Sequence, residues 1–314
     1  MTRNSDIFII CWNLLLLASL QNLFVPSAAY GHALIPSHIQ CNELTQSYPI
    51  TLMSKLFSSV PKREFAILDV SLSFGTGIKS MDTFVSAPKE QGIDNSGFVL
   101  IVGRSASGKT TLLRILSGDE KPIAGKVLLN NSNLYQGTSL GSILQPKPIF
   151  IDSKPDCYDN ESTVFEQIKN AAGYEFQVFP DLIDGLAEEF VNILDLSIEQ
   201  INGPPSLLSP SGQYLFGIAR ACMQSTCASI REGEVSTQIK LPCPVLLLDE
   251  LLDTETSSVS AKVGNGLMNL AERGSIVLAA THRPEYLNAY ADRMITFSAG
   301  KVLINEKCRK IVSS

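Results

Sequence analysis

Several patterns are missing from this 314-residue sequence, and each absence narrows what the protein is. The seven cysteines (Cys11, Cys41, Cys157, Cys222, Cys227, Cys243 and Cys308) are odd in number and form no C-x-x-C pair. Neither a disulfide framework nor a zinc site follows from them, and they read as small apolar residues in a reducing compartment. No internal repeat, heptad array or low-complexity segment occurs, so solenoids and long coiled coils are out. An excess of positive charge is also missing: the net charge is −6, with no general electrostatic reason for a nucleic-acid partner. What is present, 45% hydrophobic and 18% charged residues, suits a chain with a real core and one large α/β domain or two small ones.

Charge is lacking altogether from Ile7 to Asn42. Within that span Ile7–Leu20 is almost continuously apolar, Arg3 precedes it, and small residues at Ser27, Ala28 and Ala29 follow. This order predicts a signal-peptide-like segment over 1–29, cut near Ala29. Asn13, Ser19, Gln21 and Asn22 interrupt the run before it reaches the ~20 apolar residues of a membrane span. Residues 30–63 are serine-rich with one acid, Glu43, a composition expected of a transit-like or linker segment without fixed structure. Together they suggest a bipartite leader with a plastid stroma as destination, the alternative being membrane association in the endomembrane system. The folded domain is then expected over 64–314.

Gly97–Val102 is a short apolar run bounded by glycines, as for a buried strand. Directly after it, Gly103-Arg-Ser-Ala-Ser-Gly108-Lys109-Thr110 has the form G-x-x-x-x-G-K-T, followed by a helix with Leu112, Leu113, Ile115 and Leu116 on its apolar face. Glycines let the backbone curl so that successive N–H groups point inward, and the helix N-terminus adds positive potential. Gly103, Ser105, Ala106, Ser107, Gly108, Lys109, Thr110 and Thr111 are therefore candidate nucleotide contacts. Lys109 is placed on the terminal phosphates and the Thr110 hydroxyl on magnesium. Downstream, Leu246-Leu-Leu-Asp249-Glu250 is an apolar strand ending in two acids. The first carboxylate can hold magnesium, and the second can polarise an attacking water.

This order of elements, from Phe65 to about Leu303, resembles the ABC (ATP-binding cassette) ATPases. The resemblance implies a P-loop NTPase α/β fold with a helical subdomain over about 146–221 and N-terminal antiparallel β elements. It implies ATP and Mg2+ as ligands, with Ser142-Ile-Leu-Gln145-Pro146 as the loop whose Gln145 touches the metal and the attacking water. Ala279-Ala280-Thr281-His282 matches the family's switch histidine, and Phe74 stands where the family stacks an aromatic on adenine. The signature serine and its glycine appear as Leu208-Ser209-Pro210-Ser211-Gly212, a degenerate form in which Pro210 lacks an N–H and Ser211 replaces a glycine, with Ser211-Gly212-Gln213 as a second, equally degenerate match. After Glu250 the family continues Pro-Thr-Ser-Ala-Leu-Asp, whereas this chain has Leu251-Leu-Asp-Thr-Glu-Thr256. An extra loop is expected over about Met223–Pro242. The resemblance further implies a second cassette as partner, a separate integral membrane subunit, and slow or heterodimeric hydrolysis. A soluble ATPase serving an assembly scaffold, and a regulator with little turnover, are the other functions open to it.

Overall fold

The computed structural model describes residues 31–48, 64–75, 97–135, 146–152, 159–173, 179–228, 230 and 238–308. The chain opens with β1 (Gly31–Ile35), β2 (His38–Tyr48) and β3 (Glu64–Gly75), followed by β4 (Phe98–Gly103) and helix α1 (Lys109–Ser117). Next come β5 (Ala124–Leu129), β6 (Ser132–Asn133) and β7 (Ile149–Ile151). A helical stretch follows: α2 (Val164–Asn170), α3 (Pro180–Ile193), α4 (Ile198–Asn202) and α5 (Pro210–Cys227). The last part runs β8 (Gln238–Pro242), β9 (Val245–Asp249), α6 (Ser257–Glu272), β10 (Ile276–Thr281), β11 (Arg293–Ser298) and β12 (Lys301–Lys307).

A six-stranded sheet in the order β12-β11-β4-β10-β9-β7 forms the centre, parallel except for β12. Its inner strands are apolar throughout because both faces are covered. Side chains alternate along each strand. Phe98, Leu100, Leu246 and Leu248 therefore pack with α3, α5 and α6 on one side. Val99, Ile101, Val245 and Leu247 pack with α1 and the β2–β3–β5 layer on the other. That second layer is a four-stranded antiparallel sheet in the order β3-β2-β5-β6. Helix α1 ends where expected, at Gly118, in the left-handed conformation at φ 87.

Three boundaries differ from the sequence-based expectation. Residues 31–48, expected to lack fixed structure, form β1 and β2, and β2 is paired on both sides, with β3 and β5. Ile39 and Cys41 are fully buried in strand alternation, but Glu43 at φ 53 shifts the register so that Leu44 and Gln46 point inward instead. The bulge broke the alternating pattern, and composition alone then looked like a leader. A removable transit segment is incompatible with a strand in the middle of a sheet, so the folded part begins by Gly31. The helical stretch begins after the core strand β7, and α5 runs past Ala221 to Cys227 because Cys222, Met223 and Cys227 continue its buried face. The expected loop from Met223 thus starts as helix and ends as β8, which pairs in parallel with β1. Among the described residues Cys41, Cys222, Cys227 and Cys243 are buried and form no disulfide, and burial pushes the Cys41 thiol up to about 12.

Candidate nucleotide site

Strands β4, β10 and β9 are hydrogen-bonded neighbours running in the same direction, so their carboxyl ends emerge side by side. Gly103 ends β4, Asp249 ends β9, and His282 follows β10. This parallel register brings together residues far apart in sequence, at the strand edge where α/β sheets hold their ligands.

The loop from Gly103 to Gly108 needs its glycines for stated reasons. A Cβ on Gly103 would lie 2.4 Å from the Phe297 carbonyl oxygen and 2.7 Å from Ser107 Oγ. Gly108 holds φ 106, and Ala106 joins it in the left-handed region at φ 60. Ser107 is locked by its N–H to the Arg104 carbonyl (3.1 Å) and by its own carbonyl to Gly300 N–H (2.9 Å). Arg104, Ser105 and Ala106 are exposed at the loop crest, while Ser107, Gly108 and Lys109 are buried behind it and Thr110 and Thr111 are half-buried.

Lys109 has a 4% exposed side chain, and its ammonium donates to the Gly103 carbonyl at 3.0 Å. It also lies 3.5 Å from His282 Nε2 and 3.8 Å from Glu250 Oε1, while His282 Nε2 and Glu250 Oε1 are 2.6 Å apart. Glu250 adopts φ 54, an unusual conformation for a non-glycine residue, while its N–H stays bonded to the Ala280 carbonyl at 2.9 Å. Such backbone costs on the order of 1–3 kcal/mol and turns the side chain off the strand line toward Lys109.

Asp249 is nearly buried, and its Oδ1 has no hydrogen-bond partner among the described residues. Burial raises the Asp249 carboxyl above its ordinary range, opposed by a bond from the Thr110 hydroxyl; Glu250 adds to the rise, and Lys109 and Arg114 oppose it. An orphaned carboxylate oxygen beside a threonine hydroxyl suits a hard, oxygen-seeking cation, and Mg2+ fits that donor set.

Of two further expected residues, one is not described and one falls elsewhere. Gln145 lies outside the described residues. Phe74 is fully buried in the core under Arg293, whose guanidinium carbon sits 5.3 Å from the ring centre, so it presents no face to a nucleotide. It is also at the wrong end of its strand. Arg293, which donates to the Ser73 carbonyl at 3.1 Å, pairs with Val99 at the far end of β4 from the loop. The end of β3 near the loop is marked by Leu68, bonded at 2.9 Å to Gly300, whose N–H holds Ser107. In the antiparallel register that end carries Gln46, Ser47 and Tyr48 of β2. Tyr48 was hidden by the leader reading of its segment.

Ser209 and Gly212 stand apart from this cluster, at the start of α5. Ser209 caps the helix by accepting from Gly212 N–H at 3.2 Å, and Pro210 occupies the first helical position, where a missing N–H costs the helix least. As a helix start the sequence is sound, with Ser211 and Gly212 buried beneath it. The sequence marks the turn after Glu250 as a departure from the family but assigns none of its residues a role. There Asp253 meets residues 281–283, and Glu255 accepts from the Tyr214 hydroxyl of α5 at 2.7 Å. The signal available was an acid in place of the family's serine.

A family model described as "ABC transporter" matches residues 91–230. A putative ABC transporter ATP-binding protein of Clostridium tetani is 24% identical over 68% of this chain and 43% of its own length. The chain thus spans under half of that relative. An energy-coupling factor transporter ATP-binding protein of Ligilactobacillus salivarius is 25% identical over 88% of this chain and 81% of its own. A solved dimeric ATP-binding cassette, in a post-hydrolysis state with ADP and Pi, superposes with a TM-score of 0.55. It is 20% identical, covering 87% of this chain and all (100%) of that one, and has the same fold. With the P-loop, the acidic strand end and the histidine joined at one sheet edge, the chain is similar to ATP-binding cassettes in sequence, in motif order and in fold.

Proposed function

We propose that this chain binds ATP with Mg2+ and hydrolyses it as one half of a two-cassette dimer, and that hydrolysis drives a separate membrane subunit. The observation that carries the reading is the convergence of Lys109, Glu250 and His282 within 3.8 Å of one another beside the loop Gly103–Gly108. In this mechanism the loop N–H groups and the start of α1 hold the phosphates. Lys109 leaves the Gly103 carbonyl to neutralise the terminal phosphate. Glu250, free of a fixed positive partner once Lys109 turns to the phosphate, accepts the proton of the attacking water. His282, half-exposed beside it, contacts the same phosphate and senses its loss. Thr110 and Asp249 Oδ1 would hold Mg2+, which would neutralise charge developing on the phosphates.

Tyr48 is the candidate adenine contact in this reading, because the backbone places that residue at the strand end near the loop and Phe74 at the opposite one. The dimeric neighbour and the transporter relative support assembly with a second cassette and a membrane partner. Pro210 leaves one fewer N–H beside Ser209 for a partner's phosphate and Ser211 puts a side chain where the family has glycine, which favours pairing with a different cassette that supplies a fuller signature. The N-terminal address is confined to residues 1–30, with a cut near Ala29 just ahead of β1. Among the described residues, no helix is long and apolar enough to cross a membrane. The test is ATP turnover by the purified chain, alone and with partners captured from its native cell. Magnesium-dependent turnover and recovery of an integral membrane protein support the proposal, whereas no nucleotide binding refutes it. Recovery of a soluble scaffold alone would replace the transport part. A fluorescent fusion of residues 1–30 that stays in the cytosol would refute the address.

A further inference from the structure

We propose that Asp253 is a positioning residue that fixes the switch histidine, a role resting on the ATPase reading above. Its placement begins with Leu251 and Leu252, both buried against the helical side of the core. Burying that pair turns the chain back on itself after β9, with Asp253 N–H bonded to the Glu250 carbonyl at 3.2 Å. The Asp253 side chain is thereby set against the end of β10. Its Oδ1 accepts from the Thr281 hydroxyl, and its Oδ2 accepts from the His282 N–H at 2.8 Å. The Thr281 oxygen in turn accepts from Arg283 N–H at 2.9 Å, and the Arg283 guanidinium donates to the Asp253 carbonyl at 3.1 Å.

Two donors facing one side chain require two acceptor oxygens, and an ionised carboxylate is the group that offers them on so short a stem. Serine, which the family pattern has here, offers one oxygen, and asparagine turns an N–H2 toward one of the donors. The clamp holds the backbone of Thr281 and His282 so that the ring reaches Glu250 at 2.6 Å and Lys109 at 3.5 Å. Glu250, Asp253 and His282 also place ligand-type atoms within 4.8 Å of each other. The Lys109 ammonium beside them opposes a cation, and both Asp253 oxygens are already accepting, so the geometry is that of a clamp.

The test combines turnover with hydrogen exchange of the full chain. Asp253→Asn is expected to lower kcat about tenfold or more, the effect of one lost charge-assisted bond on a group that acts in the transition state, with KM for ATP within about twofold. In a His282→Ala background the same change should cost nothing further. Amides of residues 276–283 should exchange faster in Asp253→Asn, with those of β4 unchanged as a check of folding. Thr281→Val, which removes one donor without a change of shape, should move both readouts the same way by a smaller factor. Unchanged exchange at 276–283, or losses that multiply with His282→Ala, would overturn the proposal. A wild-type chain that binds no ATP yet shows the exchange response would refute the ATPase reading and leave the clamp standing.

Discussion

Replacing Glu250 by Gln separates binding from chemistry at this site. The Glu250 carboxylate lies 3.8 Å from the Lys109 ammonium, which ATP must recruit. Glu250 is 45% exposed, so water screens the pair strongly, and its attraction is worth about 1 kcal/mol at most. Glutamine gives up that attraction and frees Lys109 for the phosphate, so ATP affinity should rise up to about fivefold. The same change removes the proton acceptor, and positioned general bases contribute roughly 10²- to 10⁴-fold. The variant is therefore expected to hold ATP as well as or better than the wild type and to turn it over at least about a hundredfold more slowly. Filter binding with labelled ATP gives the first quantity, and single-turnover ADP formation gives the second. Turnover within about threefold of wild type, a loss too small for a missing general base, or weaker retention of ATP, would refute the roles given to Glu250 and Lys109.

Other outcomes follow from the same geometry. Asp249→Asn should raise thermal stability at neutral pH while abolishing magnesium-dependent ATP binding. The folded protein holds the Asp249 proton more tightly than the unfolded chain does, so this group favours folding at low pH. That advantage is lost as pH rises from the ordinary value of 3.8 through the higher folded one. A lower melting temperature for the asparagine variant would contradict this. Phe74→Ala should cost about 3–5 kcal/mol of stability in denaturant titration, with the ATP-over-GTP preference unchanged, since its ring is fully buried. Tyr48→Ala should weaken adenine nucleotides in a fluorescence competition assay; unchanged binding there, with weaker binding in Phe74→Ala, would return the adenine role to Phe74. Deleting residues 1–30 should leave a folded chain by circular dichroism, whereas deletion through Tyr48 removes the middle strand of a sheet and should abolish cooperative unfolding.

The P-loop was legible because its chemistry is local. Gly103, Gly108 and Lys109 act through the backbone of one turn and the start of one helix, and sequence spacing alone encodes that. The strand ending in Asp249-Glu250 was legible for the same reason, as an apolar run stopped by two acids. Beside these, His282 could be recognised only through the order of motifs, since nothing near it in sequence specifies a phosphate.

What the tertiary structure decided is where strand ends meet. Parallel pairing of β4, β10 and β9 set Lys109, Glu250 and His282 together. Antiparallel pairing of β2 with β3 reversed which aromatic lies near the loop, exchanging Phe74 for Tyr48. The bulge at Glu43 concealed β2 from any test of alternation. Asp253 became a clamp through a turn buried by Leu251 and Leu252. Each of these depends on pairing between distant segments, whose register is settled by the shared core they bury and not by the residues on either side.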